Sequence, residues 1–384
     1  MANSAEELDI IRTVLDYSDT NKTHMEPDVL FNPVTHYTDV DRLQSEIDIL
    51  FTQFPIIVGH IDQLPEPGNF FTFDDTGIPI VVTRTREGGI KAFVNVCRHR
   101  GARVVTEPCG QANTFSCPYH AWTYDLDGRL RGMRQPAGFE GVDKAQHGLV
   151  GLPAFERFGL IWVRPQPSEE EIDIDAWLAP MAEQLGSLKL ETHTVYKTWS
   201  LDRAMGWRIA LEGFQESYHF CAAHKETACS AYLDNQSVFV DHYPHVRHAV
   251  PLSRITRLKD MAESEWDYRA NFMTQNYLFP CNFVQAMTDH VYIHTIVPTG
   301  PGTCVFKCQM LIPEPAKTEK AEKHWEANYN VVRTVFGEDF EIGEGIQRGF
   351  PAGVNQDFVI GRYETGIQLA QKAMDAALAG ELRA

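Results

Sequence analysis

Two short runs of cysteine and histidine carry the clearest chemistry in the chain. Cys97-Arg-His99 is followed, after 17 intervening residues, by Cys117-Pro-Tyr-His120, giving the order C-x-H, gap, C-x-x-H. Thiolates and imidazoles bind zinc and iron–sulfur clusters, and a pair spaced by one or two residues fits a tight loop between strands, so two such loops can converge on one centre. Two occupants suit these ligands. A structural zinc ion would take all four, whereas a 2Fe–2S cluster would put the two cysteines on one iron and the two histidines on the other, where neutral imidazoles raise the potential. Zinc modules rarely open with C-x-H. Cys109, between the pairs, has no fitting partner and reads as packing.

About a hundred residues on, the segment Trp207 to His224 reads W-R-I-A-L-E-G-F-Q-E-S-Y-H-F-C-A-A-H. Glu212, Glu216 and His219 recur at four and three residues, so on a helix they would share one face, polar where a core helix is apolar. His224 lies about 140° further around a straight helix than His219, so a shared metal requires a helix end or bulge between them. Two histidines plus one carboxylate, with coordination positions left open, form the facial triad of non-haem iron(II) oxygenases. Taken alone, H-x4-H more often describes core or surface histidines than metal ligands, and the first motif alone could belong to a simple electron carrier. Tyr218 and Trp207 flank the site in supporting positions. His242, His245 and His248 read as a surface or pocket loop outside it.

These motifs need elements to hold them. From Phe70 to about Val163, short alternating runs such as Ile78 to Arg84 and Lys91 to Val96 are separated by Gly-containing turns at Glu87-Gly-Gly and Asp127-Gly128, which predicts a small β-rich domain. Pro, Ser and a run of Glu near residues 165 to 171 mark a boundary leading into an acidic helix from about Glu169 to Leu188. Beyond it stand a helical segment from Arg203 to Ala223, strands at Val291 to Val297 and Cys304 to Ile312, and helices near Lys317 to Phe336 and Arg362 to Leu382. The expected domains are therefore an N-terminal helical arm over 1–50, the small domain over 51–165 and an α+β domain over 166–384.

Composition narrows the partners. With 43% hydrophobic and 11% aromatic residues the chain is ordinary for a globular protein, and no run approaches the ~18 to 20 apolar residues of a membrane span. A net charge of −18 repels a phosphate backbone and argues against nucleic acid; it fits a solvated surface or an acidic docking face for a redox partner. The start, Met-Ala-Asn-Ser-Ala-Glu-Glu, lacks the basic and apolar regions of a secretory signal, so a cytoplasmic location is expected. Eight cysteines are too sparse for a disulfide scaffold and point to metal or redox chemistry.

The stretches Cys97-Arg-His99-Arg-Gly and Cys117-Pro-Tyr-His120-Ala-Trp resemble the C-x-H-R-G and C-P-Y-H-x-W of Rieske non-haem iron oxygenases. Glu216-Ser-Tyr-His219 with His224 resembles their mononuclear iron motif, and the resemblance runs from about Val34 to the C-terminal helix. It implies a small all-β Rieske 2Fe–2S domain and a larger α+β catalytic domain with an antiparallel sheet flanked by helices, of helix-grip type. It further implies Cys97 and Cys117 on the buried iron, His99 and His120 on the outer one, and His219 and His224 on a mononuclear Fe(II). The third ligand is sought in the late acidic stretch: Asp339, with Glu338 and Asp357 as alternatives, although Glu338 and Asp339 would also suit a helix N-terminus through its dipole.

Glu216 is implied as a bridge, hydrogen-bonded to a catalytic histidine and to the Rieske histidine of an adjacent subunit. Most of the family has Asp there, and Glu is reminiscent of the branch acting on quaternary ammonium compounds such as choline and carnitine. The implied partners are dioxygen, a small organic substrate, and a ferredoxin or flavin reductase that draws electrons from NAD(P)H; the implied assembly is a head-to-tail homotrimer. Hydroxylation of an aromatic ring is the broad expectation, with demethylation of a quaternary ammonium compound as the alternative. A Rieske electron carrier without oxygenase activity represents a different class. Segments Ala231 to Arg257 and Asn282 to Thr295 offer Arg247 and Arg254 for an aromatic acid, and Tyr232, Phe239, Phe283 and Tyr292 for an ammonium cage.

Overall fold

The computed structural model describes residues 3–168 and 172–384. It divides into two compact units, one formed by the segment up to Glu46 with Thr194–Leu382, the other by Ile47–His193 with the last two residues.

The smaller unit is built on β-branched and aromatic runs that suit a half-buried pleated surface. A five-stranded antiparallel sheet has the order Gly151–Leu152, Ile90–Val94, Ile80–Arg84, Asn69–Phe73, Cys109–Gln111, and a three-stranded sheet joins Ala154–Arg157, Leu160–Val163 and Ile56–His60. A further three-stranded sheet, Thr114–Ser116, Thr123–Asp125 and Leu130–Gly132, carries the second Cys/His loop. Phe70, Phe93, Phe115, Trp122 and Tyr124 share a core with Cys97 and Cys117. Cys109 is not packed: it sits exposed on a three-residue edge strand.

The expected boundary near 165 and the division at His193 differ by the short helices Ile174–Leu178 and Ala182–Leu188, which belong with the smaller unit. Trp177 packs on Phe54 at 5.6 Å, and His60 Nε2 is 2.9 Å from the Leu190 carbonyl oxygen. Of the expected acidic helix, Glu169 to Glu171 lie outside the described residues; the remainder is two helices separated at Pro180.

The larger unit is organised by a seven-stranded antiparallel sheet in the order Thr194–Arg203, Thr303–Ile312, Val291–Gly300, Asn282–Ala286, Phe272–Leu278, His245–Pro251, Val238–His242. The N-terminal helix Ala5–Thr20 opens with a capping box between Ser4 and Glu7, and packs Ile10, Ile11, Val14 and Leu15 against Val238, Ala249 and Phe272. It is thus part of the core of this unit.

The late helix does not stop at Phe336. It runs from Glu319 to Gly349 because Val332, Phe336, Phe340 and Gly343 continue one buried face, and Phe336 and Phe340 pack on Phe306 at 5.4 and 5.0 Å. Gly343 permits the approach to the helix Trp207–Glu212, since a Cβ there would collide with Met205 Sδ. Glu338 and Asp339 consequently lie within the helix, far from its N-terminus, and the dipole explanation for them falls away. Thr365–Leu378 forms the last helix. No helix among the described residues is long and apolar enough to cross a membrane.

Candidate metal centres

In the smaller unit the two Cys/His runs form the same turn twice. Cys97 N–H donates to the Ala102 carbonyl (2.8 Å) and Gly101 N–H to that of Cys97 (2.9 Å); Cys117 N–H donates to Trp122 (2.8 Å) and Ala121 N–H to Cys117 (2.9 Å). Each turn closes through a left-handed residue, Gly101 at φ 79° and Ala121 at φ 56°. Both thiols are buried in the core, and burial pushes the Cys117 thiol upward. Tyr124 Oη lies 3.3 Å from Cys97 Sγ and accepts from the Arg98 amide.

The imidazoles lie further out. His99 and His120 have ring centroids 4.7 Å apart, and His99 stacks on Trp122 at 5.0 Å. His120 Nδ1 is buried without a hydrogen-bond partner, as suits an atom reserved for a metal. Two buried thiols and two outer imidazoles on twin loops fit a cluster with distinct inner and outer irons.

In the larger unit Gly213 ends the helix Trp207–Glu212, and His219 and His224 bracket the one-turn helix Phe220–Ala223. This is the helix end their spacing demanded. Asp339 Oδ1 is 2.8 Å from His224 Nε2 and 3.5 Å from His219 Nε2, and the three ligand atoms lie within 4.8 Å of one another. Two imidazoles and one carboxylate suit an octahedral ion with open positions.

The far side of each ring is tied to a carboxylate. Glu216 contacts His219 Nδ1 and accepts the His219 backbone N–H at 3.1 Å; Glu338 Oε2 is 2.7 Å from His224 Nδ1 and accepts the Thr227 hydroxyl at 2.7 Å. Carboxylates in this position hold the Nδ1 proton and turn Nε2 toward the metal. Burial opposes protonation of both rings, yet the carboxylates outweigh it and raise both pKa values.

Glu338 is therefore a support for His224, and does not share the ligand position with Asp339. Asp357 is also excluded: it sits exposed on the strand Asp357–Ile360, paired with Pro33. Glu212, expected on the same face as Glu216, is carried off to accept the Tyr37 hydroxyl at 2.7 Å, and burial pushes its carboxyl up to about 7. Trp207 donates through Nε1 to Glu46 at 2.9 Å, and Tyr218 packs on Tyr363 at 4.4 Å. A disulfide joins Cys221 and Cys229 across the His224 turn, where only free thiols were expected.

Two cavities share Glu216, His219 and Asp339. One is an open cleft of about 630 Å³ bordered by Ile342, Ile346, Val354 and Val359. The other, about 170 Å³, lies against the sheet and reaches His248, Gln275, Tyr232 and Tyr292. His248, expected on a surface or pocket loop outside the site, instead stands on a buried strand and lines the cavity; Gln275 was not singled out by the sequence. The strand His245–Pro251 sends His248 to the cavity and Arg247 to the opposite face, where Arg247 pairs with Glu6 (2.6 Å) and Glu7 (3.1 Å). Arg254 donates to the Ala270 carbonyl, so neither expected arginine lines the cavity.

Comparison with known families settles what the two units are. Residues 54–151 match the Rieske [2Fe-2S] domain, and residues 190–380 match the ring hydroxylating alpha subunit catalytic domain. The chain joins a Rieske domain to a ring-hydroxylating alpha-subunit catalytic domain. These domains imply a Rieske cluster and a mononuclear iron, and the zinc alternative for the first motif is set aside.

Among curated proteins, the chain is similar to the glycine betaine monooxygenase oxygenase subunit of Chromohalobacter salexigens, 32% identical over 194 residues covering 50% of this chain and 43% of that protein. It is also similar to the carnitine monooxygenase oxygenase subunit of Acinetobacter baumannii, 30% identical over 230 residues and 58% of each chain. The chain thus spans about half the length of the curated relatives it matches. A crystal structure of a quaternary ammonium Rieske monooxygenase with L-carnitine shares the fold at a TM-score of 0.78, with 23% identity, covering 92% of this chain and 96% of that one.

Proposed function

We propose that the chain is the terminal oxygenase component of a cytoplasmic electron-transfer system, using dioxygen to hydroxylate or demethylate a small organic molecule. The observation that carries this reading is the convergence of His219, His224 and Asp339 at the inner cavity, with both Nδ1 atoms backed by carboxylates. Cys97, Cys117, His99 and His120 would hold the Rieske cluster; His219, His224 and Asp339 would hold the mononuclear iron.

When bound, these groups supply the one-electron and dioxygen chemistry that no side chain provides. The protein's own share is to present two Nε2 atoms and one carboxylate oxygen, to keep a proton on each Nδ1 by letting Glu216 and Glu338 accept from it, and to enclose the substrate beside them. Electrons would come from NAD(P)H through a ferredoxin or flavin reductase.

A homotrimer in which Glu216 links His219 to the cluster of a neighbouring copy is supported by the apolar rim of the open cleft. Val354 and Val359 there are 81% and 63% exposed, an uncovered surface beside Glu216. Aromatic acids are disfavoured as substrates because no Arg or Lys lines either cavity among the described residues. Methylated ammonium compounds, the kind of substrate for which the relatives are named, and uncharged aromatic compounds remain.

The test is nitric oxide added to anaerobically iron-loaded protein. A high-spin ferrous-nitrosyl EPR signal is expected in the wild type and its loss in Asp339→Ala, with the Rieske signal kept. A wild type without that signal, or full intensity in the variant, contradicts the assignment.

A further inference from the structure

The floor of the inner cavity is a row of side chains on neighbouring strands. Phe239 pairs with His248, His248 with Gln275, Gln275 with Gln285, and Gln285 with Tyr292, each directly across the sheet. Directly opposed residues of antiparallel strands point to the same face, so the row presents one continuous surface. His248, Gln275, Gln285 and Tyr292 all line the cavity, and Phe239 stacks on His248 at 4.2 Å.

Polar atoms on this floor lack partners. Both ring nitrogens of His248 and Oε1 of Gln275 are buried with no hydrogen bond, as is Nε2 of His290, which also lines the cavity. These residues are only 4%, 3% and 2% exposed. Buried polar groups in folded proteins are nearly always paired, so unpaired atoms on three residues of one cavity mark a template for a ligand. Gln285, in the same row, has its Oε1 paired with His294 Nε2 at 2.9 Å.

The chemistry of the template is biased. His290 Nδ1 faces Asp289 at 2.6 Å and must donate to that carboxylate, which leaves Nε2 as an acceptor in the neutral ring. Gln275 Oε1 accepts only. Burial pushes His248 down to about 3, so it is neutral and offers one donor and one acceptor. The charged groups lining the cavity are the carboxylates of Glu216 and Asp339, and no Lys or Arg is among its described residues.

We propose, building on the oxygenase reading, that His248, Gln275 and His290 select a neutral or cationic substrate bearing a hydrogen-bond donor, a hydroxyl or N–H, and reject one bearing a carboxylate. A carboxylate finds a single donor, His248, beside the acceptors of Gln275 and His290 and the carboxylates of Glu216 and Asp339, with no cation to offset them; a hydroxyl completes Gln275 or His290. Choline would thus be preferred to glycine betaine, and an aromatic alcohol to an aromatic acid.

The test uses the iron-loaded holoenzyme as its nitrosyl complex, whose spectrum reports occupancy of the cavity without turnover. Choline is compared with glycine betaine, and benzyl alcohol with benzoate. In at least one pair the alcohol is expected to bind at least about tenfold more tightly than the acid, and Gln275→Met or His290→Phe to bring that ratio near unity. Equal or tighter binding of both acids, no response to any of the four probes, or an unchanged ratio in the folded variants overturns the proposal. Failure of the nitrosyl to form before any probe is added overturns the oxygenase reading beneath it.

Discussion

Replacing Glu216 by Gln separates holding the iron from using it. The Glu216 carboxylate is 8% exposed and serves two donors of one residue, the His219 backbone N–H at 3.1 Å and the ring Nδ1–H. Glutamine has nearly the same shape but one acceptor oxygen, so one donor must face an amide NH2. Losing one hydrogen bond to a charged group costs about 1.5–3 kcal/mol, roughly 10- to 150-fold. A share of that falls on metal affinity, where losses behind a ligating histidine are on the order of 10- to 100-fold, and excess Fe(II) overcomes this. With iron saturating, the variant should keep its full iron content and its Rieske signal while product formation falls by at least about tenfold. The assay is iron per chain, EPR of the reduced protein, and product per electron supplied. Normal turnover at full iron would refute the bridging role, and iron loss that excess metal cannot restore would make Glu216 part of the iron-holding set.

Other expectations follow from burial and backbone geometry. Arg208 and Glu46 form an ion pair at 2.8 Å with side chains 2% and 1% exposed; Glu46→Ala strands the guanidinium and should cost about 3–5 kcal/mol by denaturant titration, whereas a loss below about 1 kcal/mol would mean water reaches it. Ala121 holds a left-handed φ of 56°, so Ala121→Gly should stabilise the Rieske unit by about 1 kcal/mol with cluster content unchanged; a destabilised variant would refute the strain. Burial pushes His294 down to about 3 against about 6.5 in the unfolded chain, so the native state binds fewer protons over that window. Stability is then full above about pH 6.5 and falls on acidification toward 3, by at most about 1.4 kcal/mol per pH unit from this residue. His294→Phe should flatten the slope between about pH 4 and 6 by one proton; an unchanged slope would show that His294 titrates normally.

What the sequence disclosed was local. Cys97 with His99 and Cys117 with His120 were legible because each pair is fixed by a single turn, and a turn is a matter of a few consecutive residues. The requirement for a helix end between His219 and His224 was also legible, since helical geometry alone forbids both from one face. Choosing between Glu338 and Asp339 required the packing of the long helix: adjacent helical positions differ by about 100°, and burial of Phe336 and Phe340 sets the rotation that brings Asp339 to both Nε2 atoms and Glu338 only to the Nδ1 of His224.

Long-range features were hidden for the same reason. The place of the helices after Ile172 in the smaller unit rests on Trp177 meeting Phe54 and Leu190 meeting His60, contacts more than a hundred residues apart. His248 was left out of the site as part of a loop because strand register decides which face a residue joins, and a shift of one would exchange His248 for Arg247. The arginine of the expected substrate pocket lies on the other side of the sheet from it.

The reading stands on two iron centres of different kinds in one chain. It is tested most directly by counting iron, zinc and acid-labile sulfide on anaerobically purified protein, with EPR before and after dithionite. About three irons and two sulfides per chain, with a Rieske signal that appears on reduction, is the predicted result. About two irons in fully loaded protein would leave only an electron carrier, and zinc without sulfide would rule out the Rieske cluster itself.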